Sequence, residues 1–178
     1  MMRAASTILM LAVATPAAAQ DALTITFEAG GEQTLQASRD PLSGKEPAYV
    51  RVDGTDSATA LLDYAPLDDG DVAGLAWRAD ATRWVSIQVE KITPAHLVAV
   101  RLHDRAGAMP AGRLVATAPV PGHGAMRVRL SILREPDGLT LRYALPDGEW
   151  QVLTRGLDPA FLGPEARPVV FAFDGAGR

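Results

Sequence analysis

Acidic residues crowd at two places in this chain. Asp68-Asp69-Gly70-Asp71 puts three carboxylates into four residues, a composition that offers hard oxygen ligands to a calcium ion. Its spacing is not that of a known calcium loop, and a solvated turn is the competing reading. Glu135-Pro136-Asp137-Gly138-Leu139-Thr140 spaces two acids one residue apart and then places Thr140 where a third would stand. Glycoside hydrolysis needs two facing carboxylates, one acid and one base or nucleophile. This pair falls in a Pro-Asp-Gly turn, whereas positioned acids belong on rigid elements, so no catalytic residue is assigned. His96, His103 and His123 lack HxxxH or HExxH spacing. No GxSxG elbow and no glycine loop opening a helix is present, so serine hydrolase and phosphate-cradling chemistry have no local support. The expected metal set is none, with Asp68, Asp69 and Asp71 as the one candidate group and calcium as the one candidate cofactor.

Binding chemistry is better represented. Trp84 has a flat apolar face with a polar edge, the shape that stacks on a pyranose. Arg78 and Gln88 stand near it, and Arg129 and Arg142 add donors if they share its sheet. These five are the candidate carbohydrate-binding residues. The alternative is that Arg78 covers Trp84 by a cation–π contact, or that a loop does. Arg127, Arg129, Arg142 and Arg78 all fall at polar positions. On one sheet they would attract uronic acids or a partner's acids; the alternative is a salt-bridged solvent face.

The elements that must carry these residues are strands. Leu23, Ile25 and Phe27 alternate with polar residues, as do Ala48, Val50 and Val52, and Val85, Ile87 and Val89. The same period of two runs through Val98–Leu102, Met126–Ile132, Leu139–Leu145 and Val169–Phe173. One apolar and one polar face per strand is the pattern of antiparallel sheets. Gly30-Gly31, Asp53-Gly54, Asp69-Gly70, Pro136-Asp137-Gly138 and Pro146-Asp147-Gly148 supply turns. Many short strands at this spacing predict a sandwich or barrel. Pairing Ile132 with Leu141 and Leu130 with Tyr143 keeps one hairpin's apolar residues on one face. Pairing Val85 with Trp77 and Ile87 with Leu75 does so for another, and turns Trp84 and Arg78 outward. A one-residue slip would mix the faces. Trp77 and Trp150 sit among apolar neighbours and are expected in the core, with Val85, Ile87, Leu130, Ile132, Leu141, Tyr143 and Phe171. Asp158-Pro159 predicts one short helical turn near Asp158–Leu162.

The whole chain of 178 residues is 48% hydrophobic and 21% charged, the composition of one globular domain with its own core. A net charge of −4 argues against nucleic acid as a partner. With no cysteine, disulfides, thiolate metal sites and cysteine nucleophiles are excluded. Met1–Gln20 has one charge, Arg3, then an apolar run broken by Pro16 and followed by Ala17-Ala18-Ala19. This predicts a signal peptide over residues 1–19. The run is shorter than the ~20 apolar residues of a membrane span. One domain over residues 20–178, periplasmic or extracellular, is the expectation.

Two blocks have a recognisable order. Tyr64–Val89 holds Ala65-Pro66, an acidic run, Ala73-Gly74-Leu75, Asp80 and Trp84. Met126–Glu165 holds a strand, a hairpin, Asp147-Gly148-Glu149-Trp150, then Leu157-Asp158 and Phe161-Leu162, before Phe171-Ala172-Phe173. Over about residues 60–174 this resembles the C-terminal concanavalin A-like β-sandwich of family 43 β-xylosidases. Residues 21–60 match poorly, and the family's aromatic doublet before Asp80 is Arg78-Ala79 here. The resemblance implies an all-β, concanavalin-like jelly-roll sandwich of two antiparallel sheets. It implies an accessory role, because the catalytic five-bladed propeller has no counterpart in these residues. The expected function is a non-catalytic module that binds carbohydrate or assists a carbohydrate-active enzyme. A polysaccharide hydrolase or lyase on the same scaffold, and a structural or protein-interaction domain, are the alternatives.

Overall fold

The computed structural model describes residues 22–38, 47–66, 68–104, 112–122 and 124–175. The predicted signal peptide and His123 lie outside the described residues. Among the described residues twelve strands occur in the order β1 (Ala22–Glu28), β2 (Glu32–Ser38), β3 (Ala48–Arg51), β4 (Ser57–Tyr64), β5 (Val72–Arg78), β6 (Trp84–Ile92), β7 (Ala95–His103), β8 (Arg113–Val120), β9 (Met126–Glu135), β10 (Gly138–Ala144), β11 (Gln151–Leu157) and β12 (Arg167–Phe173). The predicted helical turn is a 3-10 turn over Ala160–Leu162, entered where the Asp158 carboxylate accepts the Ala160 N–H at 2.8 Å.

Two antiparallel sheets of six strands result. The first runs β11-β10-β9-β4-β1-β2 and the second β3-β12-β5-β6-β7-β8. Both predicted hairpin registers occur: Leu141 faces Ile132 and Tyr143 faces Leu130, while Trp77 faces Val85 and Leu75 faces Ile87. At the β5–β6 turn, Asp80 accepts from the Thr82 and Arg83 N–H groups and from Arg83 Nε. Those bonds, led by the Thr82 N–H, hold its carboxyl well below the ordinary carboxylate range.

The inner faces meet in one core. Leu23, Ile25, Phe27, Leu62, Leu130, Ile132 and Leu141 come from the first sheet; Leu75, Trp77, Val85, Ile87, Val100 and Val170 from the second. Sheet-on-sheet packing of alternating side chains is the ordinary way such a sandwich is held. Two predicted core residues belong elsewhere. Phe171 is fully buried, but in a smaller cluster with Val72, Ala76, Trp84 and Val169. In β12 it is Val170 and Ala172 that face the sandwich core, so the larger side chains point outward. Trp150 is half-buried and lies by two arginines, as described below. Among the described residues no helix is long and apolar enough to cross a membrane.

Candidate functional site

The outer face of the second sheet is a grid. Arg167, Arg78, Trp84 and His103 form one row, and Val169, Ala76, Ser86 and Arg101 the next. Phe171, Gly74, Gln88 and Ala99 form a third, then Phe173, Val72, Glu90 and Leu97. The period of two places Trp84, Ser86, Gln88 and Glu90 here as expected, yet all four are buried. Trp84 is only 2% exposed. His103 stacks on its ring at 4.0 Å and Phe171 meets it edge-on at 5.1 Å. The expected exposed platform is therefore a packed one, because β7 and β12 bring large rings alongside it. Arg78 lies 4.3 Å over the ring of Tyr49, on the edge strand β3.

Gln88 is part of a buried polar chain. Ser86 Oγ donates to Gln88 Oε1 at 2.6 Å, and Gln88 Nε2 donates to Glu90 Oε1 at 2.8 Å. Arg101 grips both Glu90 oxygens, at 2.5 and 2.9 Å, and donates to the Gly112 carbonyl at 2.9 Å. A buried polar chain is tolerated when its members are satisfied in this way. Two glycines make the face this tight. A Cβ on Gly74 would fall 2.7 Å from Gln88 Cβ, and one on Gly112 would fall 2.5 Å from the His103 ring. Burial, aided by the Arg101 charge, pulls His103 down to about 4, against smaller opposing effects of Asp104 and Glu90.

Arg129 and Arg142 occupy the other side of the molecule. They stand at outward positions of β9 and β10, with Ala144 opposite Arg129 and Ser131 opposite Arg142. The five candidate binding residues thus divide between opposite faces and make no single site. Arg78 is likewise separated from Arg127, Arg129 and Arg142, which stand on the first sheet. On the first sheet, the turn after β10 closes with the Gly148 N–H on the Leu145 carbonyl at 2.9 Å. It returns Trp150 to the outer face, where its ring centre lies 4.5 Å from the Arg142 guanidinium and 5.2 Å from that of Arg129. Arg129 also donates to the carbonyls of Gly148 at 2.7 Å and Leu145 at 3.4 Å. The signal for Trp150 was its place directly after an Asp-Gly turn, where a core side chain is harder to seat than within a strand.

The acidic run is a folded turn. Asp71 is fully buried, and its carboxylate accepts the N–H groups of Asp68 and Gly175, each at 2.9 Å. Its carbonyl accepts from Tyr64 Oη at 2.5 Å. Burial, with the Asp71 charge adding to it, pushes the Tyr64 phenol far above its usual value. Asp69 accepts from Thr93. The Asp69 and Asp71 carboxylates thus accept from different partners, and among the described residues no three His, Cys, Asp or Glu converge as metal ligands. Glu135, in the other acidic run, is bound by Thr140 Oγ1 across its own turn.

Comparison with solved structures finds the same fold. A GH43_12 protein retrieved from a capybara gut metagenome matches with a TM-score of 0.56 and 18% identity, over 71% of this chain. The GH43 BlXynB protein from Bacillus licheniformis matches with a TM-score of 0.57 and 15% identity, over 76%. The match covers 25% and 27% of those chains, so this chain corresponds to about a quarter of each. No curated protein matches. The family model for the β-xylosidase C-terminal concanavalin A-like domain matches residues 26–177. That span takes in both sheets, and the chain belongs to this family.

Proposed function

We propose that this chain is an exported, non-catalytic β-sandwich that binds carbohydrate in support of carbohydrate-active enzymes, with residues 1–19 as signal peptide and 20–178 as one domain. The observation that carries the reading is the outer face of the first sheet. It offers a half-buried indole, Trp150, with hydrogen-bond donors from Arg129 and Arg142 against it. An aromatic face beside planar donors is binding chemistry for a sugar ring. Acid–base chemistry has less support. Glu90 is the one carboxylate among the described grid positions of the second sheet, and Arg101 holds both its oxygens.

A panel of xylose- and arabinose-containing glycans titrated into the folded protein tests this. Binding that Trp150→Ala weakens about tenfold or more, with the fold intact, is the expected result, the size of one lost stacking contact. Reducing-sugar release by the purified protein would favour the hydrolase or lyase reading instead. A specific observation favours the second reading, a protein-interaction or structural domain: Trp84, Ser86, Gln88 and Glu90 are closed over on the outer face of the second sheet. Silence of the folded protein across the whole panel would move the conclusion there.

A further inference from the structure

We infer that the Trp150 cluster is a subsite for a uronate residue of a glycan, a sugar ring carrying a carboxylate; this rests on the carbohydrate reading above. Some arginines of the molecule are paired with acids. Arg127 is paired with Asp63 at 2.7 Å and Glu28 at 3.5 Å, Arg83 with Asp80 and Glu165, and Arg101 with Glu90. Arg129 and Arg142 are not among them. Among the described residues neither meets a carboxylate: Arg129 donates to two neutral carbonyls, and Arg142 has the Trp150 ring. Among the described residues the Nε of each is buried without a hydrogen-bond partner. Two cations against one indole repel each other, and an anion placed between them relieves that repulsion.

The geometry selects the kind of anion. A guanidinium fork binds a carboxylate through two parallel N–H···O bonds. An indole takes a pyranose ring on its face or edge. A uronate carries both groups on one rigid ring, so a single ligand can meet Trp150 and an arginine together. An acidic peptide supplies the carboxylate on a flexible stem, without a ring for the indole.

Calorimetric titration of the full chain with a glucuronate-substituted xylooligosaccharide, beside the unsubstituted oligosaccharide of equal length, tests this. The substituted ligand is expected to bind about tenfold or more tightly, the range of a charge-assisted bidentate pair, and the advantage should shrink as salt is raised. Arg142→Gln should bring the two ligands to equal affinity. Arg142→Lys, which keeps the charge and loses the fork, should recover only part of the difference. Should Arg142→Gln not fold, Arg129→Gln carries the same expectation. Equal affinity of the natural protein for both oligosaccharides would overturn the uronate subsite and leave the carbohydrate reading standing. Binding of neither would overturn both. Poly-glutamate binding as tightly as the substituted oligosaccharide would overturn the subsite in favour of an acidic protein partner.

Discussion

His103 shows how one residue ties local packing to a measurable property. It lies on Trp84, is 7% exposed, and its Nε2 has no hydrogen-bond partner among the described residues. Its folded-state value near 4 sits below the ordinary 6.5. Between those values the unfolded chain takes up a proton that the folded chain refuses. Stability from this group is therefore complete above pH ~6.5 and is lost as pH falls towards 4, by up to about 3 kcal/mol. Urea unfolding at pH 7 and pH 4.5 should show the loss, and His103→Gln should flatten it. A pH dependence as steep in the variant would assign acid sensitivity to other groups. Trp84 and Trp150 make a matched lesson at this scale. Both were read from their chain neighbours, and each has the opposite environment, because an indole's exposure depends on what other strands bring beside it.

Among the elements, β5 and β6 are adjacent strands buried on both faces. Gly74 lets them lie close: a Cβ there would come within 2.6 Å of the Ile87 carbonyl oxygen on β6. Because the obstacle is backbone, it cannot rotate away. Gly74→Ala should cost about 1–3 kcal/mol, the usual range for overpacking, read as a lower urea midpoint. A midpoint unchanged within error would mean that the two strands separate without cost. The alternation made strands such as β6, β7, β9 and β10 legible, because their inward positions carry Val, Ile, Leu or Tyr. It left β2, β4, β8 and β11 unannounced. In β4 two of the inward positions are Ala58 and Ala60, whose small side chains make a faint hydrophobic pattern. β2, β8 and β11 are edge strands, with Pro119 in β8 and Gly156 in β11, and edge strands tolerate such residues.

At the scale of the molecule, one core joins both sheets without a disulfide to assist it. Thermal unfolding should be a single cooperative transition, unmoved by dithiothreitol. Two separated transitions by calorimetry and near-UV dichroism would show that the sheets are not one cooperative unit. The sequence by itself determined the all-β class, a sandwich or barrel of antiparallel strands, and the register of two hairpins. These follow from alternation and turn chemistry, which are properties of neighbouring residues. It also singled out Arg129 and Arg142, since outward parity is a local fact. Which outer face is packed and which leaves an indole and two arginines partly accessible was decided only in three dimensions. His103 and Phe171 reach Trp84 from separate strands, and a turn folds Trp150 back onto β9 and β10. Alternation says which way a side chain points from its strand; only the completed packing says whether water or another residue is there.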